Sequence, residues 1–258
     1  MDKTIFYIAK KEYMDNLRNY WILTLSIIFA ILVIVFAYFG STGSTSGWRT
    51  LEETINILKS PVEMIIPIVS LMLGYAAVVR EVEEGSMSSL LSFPVKRYEV
   101  IVGKFLGLGC VLATTTIIGF TIAGVIIGLN TNNVDYGLYF LFIGATIILG
   151  LEFLSISIFL SSIFKRRTSA MGAAIFVWIL FMMIFPILVT GILFITLESS
   201  TGIPEDLIAQ IMLIDPLGGL SYFNNPYAPQ MEWVILSYLG WLIIPLILTF
   251  IIFQKKDI

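Results

Sequence analysis

Five runs of apolar residues, at 21–39, 105–129, 136–164, 171–197 and 233–253, dominate the sequence. A helix needs roughly 20 apolar residues to cross the hydrocarbon core of a bilayer. There, only a helix or a closed barrel satisfies every backbone polar group. A sixth run, Met64 to Val79, is short and contains Pro67; it reaches spanning length when Ser60, Pro61 and Val62 are drawn in. No segment alternates with period two, which argues against a barrel. The expectation is an all-α integral membrane protein, one transmembrane domain over 1–258. Its six spans fall at about 21–39, 60–79, 105–129, 136–164, 171–197 and 233–253.

Composition agrees and closes other routes. The chain is 58% hydrophobic and 13% charged, against about half and about a quarter in soluble domains. A single cysteine, Cys110, rules out a disulfide scaffold, and with no His a thiolate or imidazole metal centre is excluded. A net charge of −3 gives no basic face for nucleic acid. An intramembrane enzyme would need a convergent set of catalytic groups that these spans lack. No catalytic residue, metal or cofactor is therefore expected.

Positive charge resists translocation, so the distribution of Lys and Arg sets orientation. All of the 15 basic residues except Arg49 and Lys59 fall in the N-terminal segment, the connection 80–104, the connection 165–167 or the C-terminal tail. Both termini are expected in the cytoplasm, in a multi-pass protein of the plasma membrane. The first 20 residues do not resemble a cleavable signal. Phe6, Ala9, Tyr13, Leu17 and Tyr20 step by three and four, opposite Lys11, Glu12, Asp15 and Arg18. That pattern reads as a helix lying in the cytoplasmic interface, with a cytosolic extension of the first span as the alternative.

Three further features bear on function. The cytoplasmic connection from Arg80 to Lys104 is longer than a helix link requires. Gly85 breaks its acidic start at Glu83 and Glu84, and Ser86 is placed to cap a short helix. Met87, Leu90 and Leu91 share one face of that helix, and Pro94 ends it. An exposed apolar ridge of this kind suits a docking knob; the same run also fits a loop folded onto its own helix ends. In the external segment 198–232, Pro204 and the apolar residues Leu207, Ile208, Ile211, Met212 and Ile214 predict a short helix. It is too short to span and too apolar for water, hence re-entrant or interfacial, and Asp215-Pro216 ends it. Finally, Glu152 lies near the middle of the fourth span with no Lys or Arg in any span to pair with it. It is either a conduit site for substrate or proton, or a carboxyl satisfied by hydroxyls such as those of Thr114, Thr115 and Thr116. Ser155, Ser157, Ser161 and Ser162, with the glycines of the third span, read as close-packing residues, and Trp21, Trp233 and Tyr238 as interfacial anchors.

The run Glu83-Glu84-Gly85-Ser86-Met87, then Leu90-Leu91, Pro94-Val95-Lys96-Arg97 and Gly103-Lys104, resembles the cytoplasmic motif of ABC-2 type transporter permeases. Ser86 stands where Thr is commoner in that family, and Ser88-Ser89 where an acid is often found. The layout of six spans, an N-terminal interfacial helix and a long external segment before the last span is similar over the whole chain. The resemblance implies the membrane-spanning subunit of an ATP-driven exporter, working as a dimer in the bilayer. It also implies that residues 83–94 form a coupling helix seated on a separate ATPase subunit. The sequence has no phosphate loop of its own: Gly103-Lys104 is followed by Phe105, with Tyr98 where the first glycine of the motif belongs. A proton-coupled secondary transporter using Glu152 is the alternative, and the chain has no evident inverted repeat to support it.

Overall fold

The computed structural model describes residues 3–42, 50–85, 95–130, 135–198, 210–211, 213–223 and 230–255. Those residues are helical in nine α-segments joined by turns. They are α1 (Lys3–Leu17), α2 (Tyr20–Thr42), α3 (Leu51–Gly74), α4 (Val79–Glu83), α5 (Arg97–Asn130), α6 (Tyr136–Ile163), α7 (Arg167–Ile179), α8 (Phe185–Glu198) and α9 (Met231–Lys255). A π turn at Leu180–Ile184 carries α7 into α8, and a 3₁₀ helix covers Pro216–Phe223. Six stretches are long and apolar enough to cross a membrane, so the all-helical, six-span architecture holds.

Local chemistry accounts for the less regular helix. α3 starts at Leu51, ahead of its apolar run, because Thr50 and Glu53 form a reciprocal capping box. It accommodates Pro61 and Pro67 inside the helix and stops at Gly74. At Gly74 an added methyl would lie 2.7 Å from Ser157 Cβ, so α3 and α6 approach too closely for a side chain there. The turn from α3 into α4 buries two backbone N–H groups, of Val78 and Val79. Both donate to Ser161 Oγ, at 2.9 and 3.0 Å. Ser157 Oγ donates to the Leu71 carbonyl at 2.6 Å. Ser157 and Ser161, predicted as small spacers, are therefore also interhelical bonding groups.

α6 is the most buried span and packs on α3, α5, α9 and the 3₁₀ helix; α7 and α8 lie on the outside with most of their surface exposed. An edge-to-face aromatic chain runs through the core: Phe120 of α5 meets Phe142 of α6 at 5.7 Å, and Phe142 meets Phe223 at 5.4 Å. A second chain links Phe153, Phe181 of the π turn and Trp241 of α9.

Alternation of the spans brings α1, α4, the start of α5, the end of α6, the start of α7 and the end of α9 to one end of the bundle. This end holds most of the Lys and Arg residues and is called the basic end below. α1 lies along the first turns of α5. A methyl on Gly103 would come within 2.7 Å of Ile8 Cγ2, and one on Gly107 within 2.6 Å of the Ala9 carbonyl.

Candidate functional site

Two polar assemblies stand out in an otherwise apolar bundle. The first is at the basic end. Lys104, with its side chain 3% exposed, donates to Glu12 of α1 and Glu81 of α4, both at 2.7 Å. Two carboxylates around one ammonium satisfy a charge that would otherwise be very costly to bury. They bind three helices together beside a cavity of about 350 Å³ that Lys11, Asp15, Arg80 and Arg167 also line.

The motif around residues 83–97 is held from both sides. Glu83 accepts from Arg167 Nε at 2.9 Å and Glu84 from Arg167 Nη2 at 2.6 Å, tying the end of α4 to the start of α7. The Arg167 guanidinium holds the Glu84 carboxyl below the usual carboxylate range, and Arg80 assists. Gly85 follows at φ +70, a left-handed conformation that glycine adopts without strain, and its N–H donates to the Val82 carbonyl. On the far side, the Lys96 N–H donates to Glu99 Oε2 at 2.8 Å and starts α5. Arg97 Nη1 donates to the carbonyls of Phe253 and Gln254, at 2.7 and 3.0 Å, capping α9. Ser86, Met87, Leu90, Leu91 and Pro94 lie outside the described residues.

The second assembly is inside the bundle. Glu152 is fully buried on α6, and neither carboxyl oxygen has a hydrogen-bond partner among the described residues. The hydroxyls expected to satisfy it do not. Thr114 and Thr115 donate to carbonyls of their own helix, at Cys110, Val111 and Leu112. A β-hydroxyl facing its own preceding turn finds that acceptor at no cost in reach.

Glu152 instead has acidic company. Asp215 lies close enough to act on it electrostatically, Glu63 of α3 acts on Asp215, and the Tyr238 hydroxyl feels both Glu152 and Glu63. Lys59 pairs with Glu63 at 3.6 Å one turn away. Burial pushes the Asp215 carboxyl up to about 7; the Leu217 N–H, donating at 3.0 Å, opposes the rise and Glu63 adds to it.

Residues 213–223 hold Asp215 in place between α6 and α9. Ser237 Oγ donates to the Leu213 carbonyl at 2.8 Å, and Phe223 packs on Phe142. Gly219 is pressed against the Tyr238 ring, with room for no side chain. Of the expected external helix, residues 201–209 and Met212 lie outside the described residues. Tyr238 does not behave as an interfacial anchor: its hydroxyl is buried and has no partner among the described residues, because the 3₁₀ helix covers it. Trp233 is about half exposed.

Several participants were missed by the sequence reading. Asn56, Glu63 and Ser70 recur every seven residues on α3, with Lys59 between them, so they share one face. Asn56 Oδ1 and Ser70 Oγ are buried without partners among the described residues. That spacing was the available signal, obscured because the span was read as starting at 60.

Comparison with known proteins fits this layout. The family model described as ABC-2 family transporter protein matches residues 6–258. The chain is 32% identical to the probable ABC transporter permease protein NosY of Stutzerimonas stutzeri, over 98% of both chains. It is 33% identical to the probable ABC transporter permease protein NosY of Pseudomonas aeruginosa, over 82% of this chain and 78% of the relative. A match across every span, together with these permease relatives, identifies a membrane subunit of an ABC transporter, and the chain belongs to the ABC-2 family of transporter proteins.

Proposed function

We propose that the chain is the conduit-forming subunit of an ATP-driven exporter. Its basic end faces the cytoplasm, and residues 83–94 there seat a separate ATPase subunit. It works with a second permease copy, and both termini are cytoplasmic. One observation carries the reading: the described residues on both sides of 86–94 are anchored to neighbouring spans. Glu83 and Glu84 tie the first side to α7, and Arg97 ties the second to the end of α9. A push on such a segment reaches the ends of four spans instead of dissipating in a slack loop. The near-whole-length matches to the ABC-2 family model and to an ABC transporter permease leave little ground for a free-standing proton-coupled carrier. Glu152 then belongs to the conduit of an ATP-driven protein.

Leu90→Asp tests the docking role. It places a charge in the apolar ridge and leaves every span untouched. The permease should insert and fold, while co-purification of the ATPase and transport-linked ATP hydrolysis fall together. Wild-type recovery of a fully active complex would remove the docking role. ATP-driven accumulation of substrate in inside-out vesicles reads the direction of transport.

A further inference from the structure

The interior of the bundle holds polar atoms that its own side chains do not use. Glu152 Oε1 and Oε2, Asn56 Oδ1 and the Tyr238 hydroxyl are all buried without partners among the described residues. The carboxyl and amide oxygens are acceptors, so what they lack is a donor. Charge points the same way. Lys59 is paired with Glu63. Glu152 is the unpartnered acid, and Asp215 beside it has the Leu217 N–H on one oxygen.

The acids come from three elements and are spread apart. Among the described residues, no three His, Cys, Asp or Glu side chains gather closely enough to hold a metal ion. A compact divalent ion is thus a poor fit, and a larger cation with several N–H donors is a better one. Aromatic rings that favour such a cation are at hand in Tyr238, Phe181 and Trp241.

The approach to this place is apolar. Between α6 and α9 the 213–223 segment separates two open grooves. One, of about 270 Å³, is lined by Leu141, Ala145, Ile148, Gly219 and Tyr238. The other, of about 420 Å³, is lined by Ile156, Phe159, Leu213, Trp241 and Leu248. Glu152 falls on α6 between the residues that line the first groove and those that line the second. Ligand sites commonly combine apolar walls with a few polar groups that fix orientation.

We propose that Glu152, Asp215 and the Tyr238 hydroxyl receive the ammonium head of an amphipathic amine, whose apolar body lies in the grooves beside the 213–223 segment. This assignment rests on the conduit reading above and supplies its substrate class. Glu152 is fully buried in the present arrangement, so admitting the head requires the groups around it to part.

The test uses the permease–ATPase complex in nanodiscs and dansylcadaverine, a primary amine with an apolar fluorophore, read by fluorescence anisotropy. Wild type should show a saturable component above lipid partitioning. Glu152→Gln, nearly isosteric and removing only the charge, should weaken it at least tenfold, and Asp215→Asn should weaken it to a lesser degree. N-acetyl dansylcadaverine, with the same body and no charge, should show none. Any of three results overturns the proposal: unchanged affinity in Glu152→Gln, equal binding of the acetylated probe, or no saturable binding by an intact, ATP-hydrolysing complex. The site lies wholly in the permease, so probe binding should survive in Leu90→Asp. Failure of docking and failure of this site are therefore read separately.

Discussion

Replacing Lys104 with Met should release α1 from the bundle. The ammonium is 97% covered and contacts two carboxylates at 2.7 Å, one on α1 and one on α4. Met matches the length of the lysine stem, so packing against α1 through Gly103 and Gly107 is retained and the change is electrostatic. Removing one partner of a buried ionic contact typically costs about 3–5 kcal/mol, because the other partner is left uncompensated. Here Glu12 and Glu81 would also repel each other across the vacated position. At 1.4 kcal/mol per tenfold, detachment of α1 becomes roughly two to three and a half orders of magnitude more frequent. Trypsin reads this directly, since α1 carries Lys10 and Lys11. Cleavage there should accelerate sharply in Lys104→Met and return towards the wild-type rate in Lys104→Met/Glu12→Gln/Glu81→Gln, where no charge is left unpaired. Wild-type protection in the single variant would refute the reasoning. A triple variant as labile as the single one would show that ionic attraction, and not an orphaned charge, holds the helix.

Three further outcomes follow from the contacts. Gly219→Ala drives a methyl into the Tyr238 ring, so residues 213–223 should lose hydrogen-exchange protection while α3 and α5 keep theirs. Asp215 titrates near 7 in place against an ordinary 3.8, so docking of that segment should be tightest below about pH 4 and weaken as pH rises to 7. Exchange measured across that range should show the slope in wild type and none in Asp215→Asn. Ser157→Ala removes a 2.6 Å bond to the Leu71 carbonyl and should lower the unfolding free energy in detergent by about 0.6–1.7 kcal/mol, without loss of assembly.

What the sequence made legible follows what the bilayer demands. Apolar runs must match the thickness of the hydrocarbon core, which is why five of the six spans could be read by length alone. Gly85 could be read as a break because a left-handed turn after Glu84 has one favoured residue. The start of α3 was harder. Its first turns, Leu51 to Lys59, carry three charged residues and look like loop, yet the capping box at Thr50 and Glu53 and the burial of Leu51, Ile55 and Leu58 make them helix. Hydropathy reports where a chain can lie in lipid; it is silent where a helix projects beyond it.

The interior site was half legible for a related reason. Glu152 announced itself because an acid in an apolar run is costly wherever it faces. Its surroundings did not, because Asp215 and Tyr238 reach it only through the way 213–223 folds against α9, a contact spanning long stretches of chain. The hydroxyls of Thr114 and Thr115 seemed natural partners by residue type, but a side-chain hydroxyl in a helix has an acceptor one turn back and need not reach across. Two serines of α6 behaved in the opposite way. Ser157 and Ser161 face a helix brought close by Gly74, and there the nearest unsatisfied groups belong to the neighbour. The same chemistry thus bonds inward or outward according to how near the next backbone lies. In this bundle, glycine positions decide that distance, so interhelical polar contacts are better read from pairs of small residues than from the polar residues themselves.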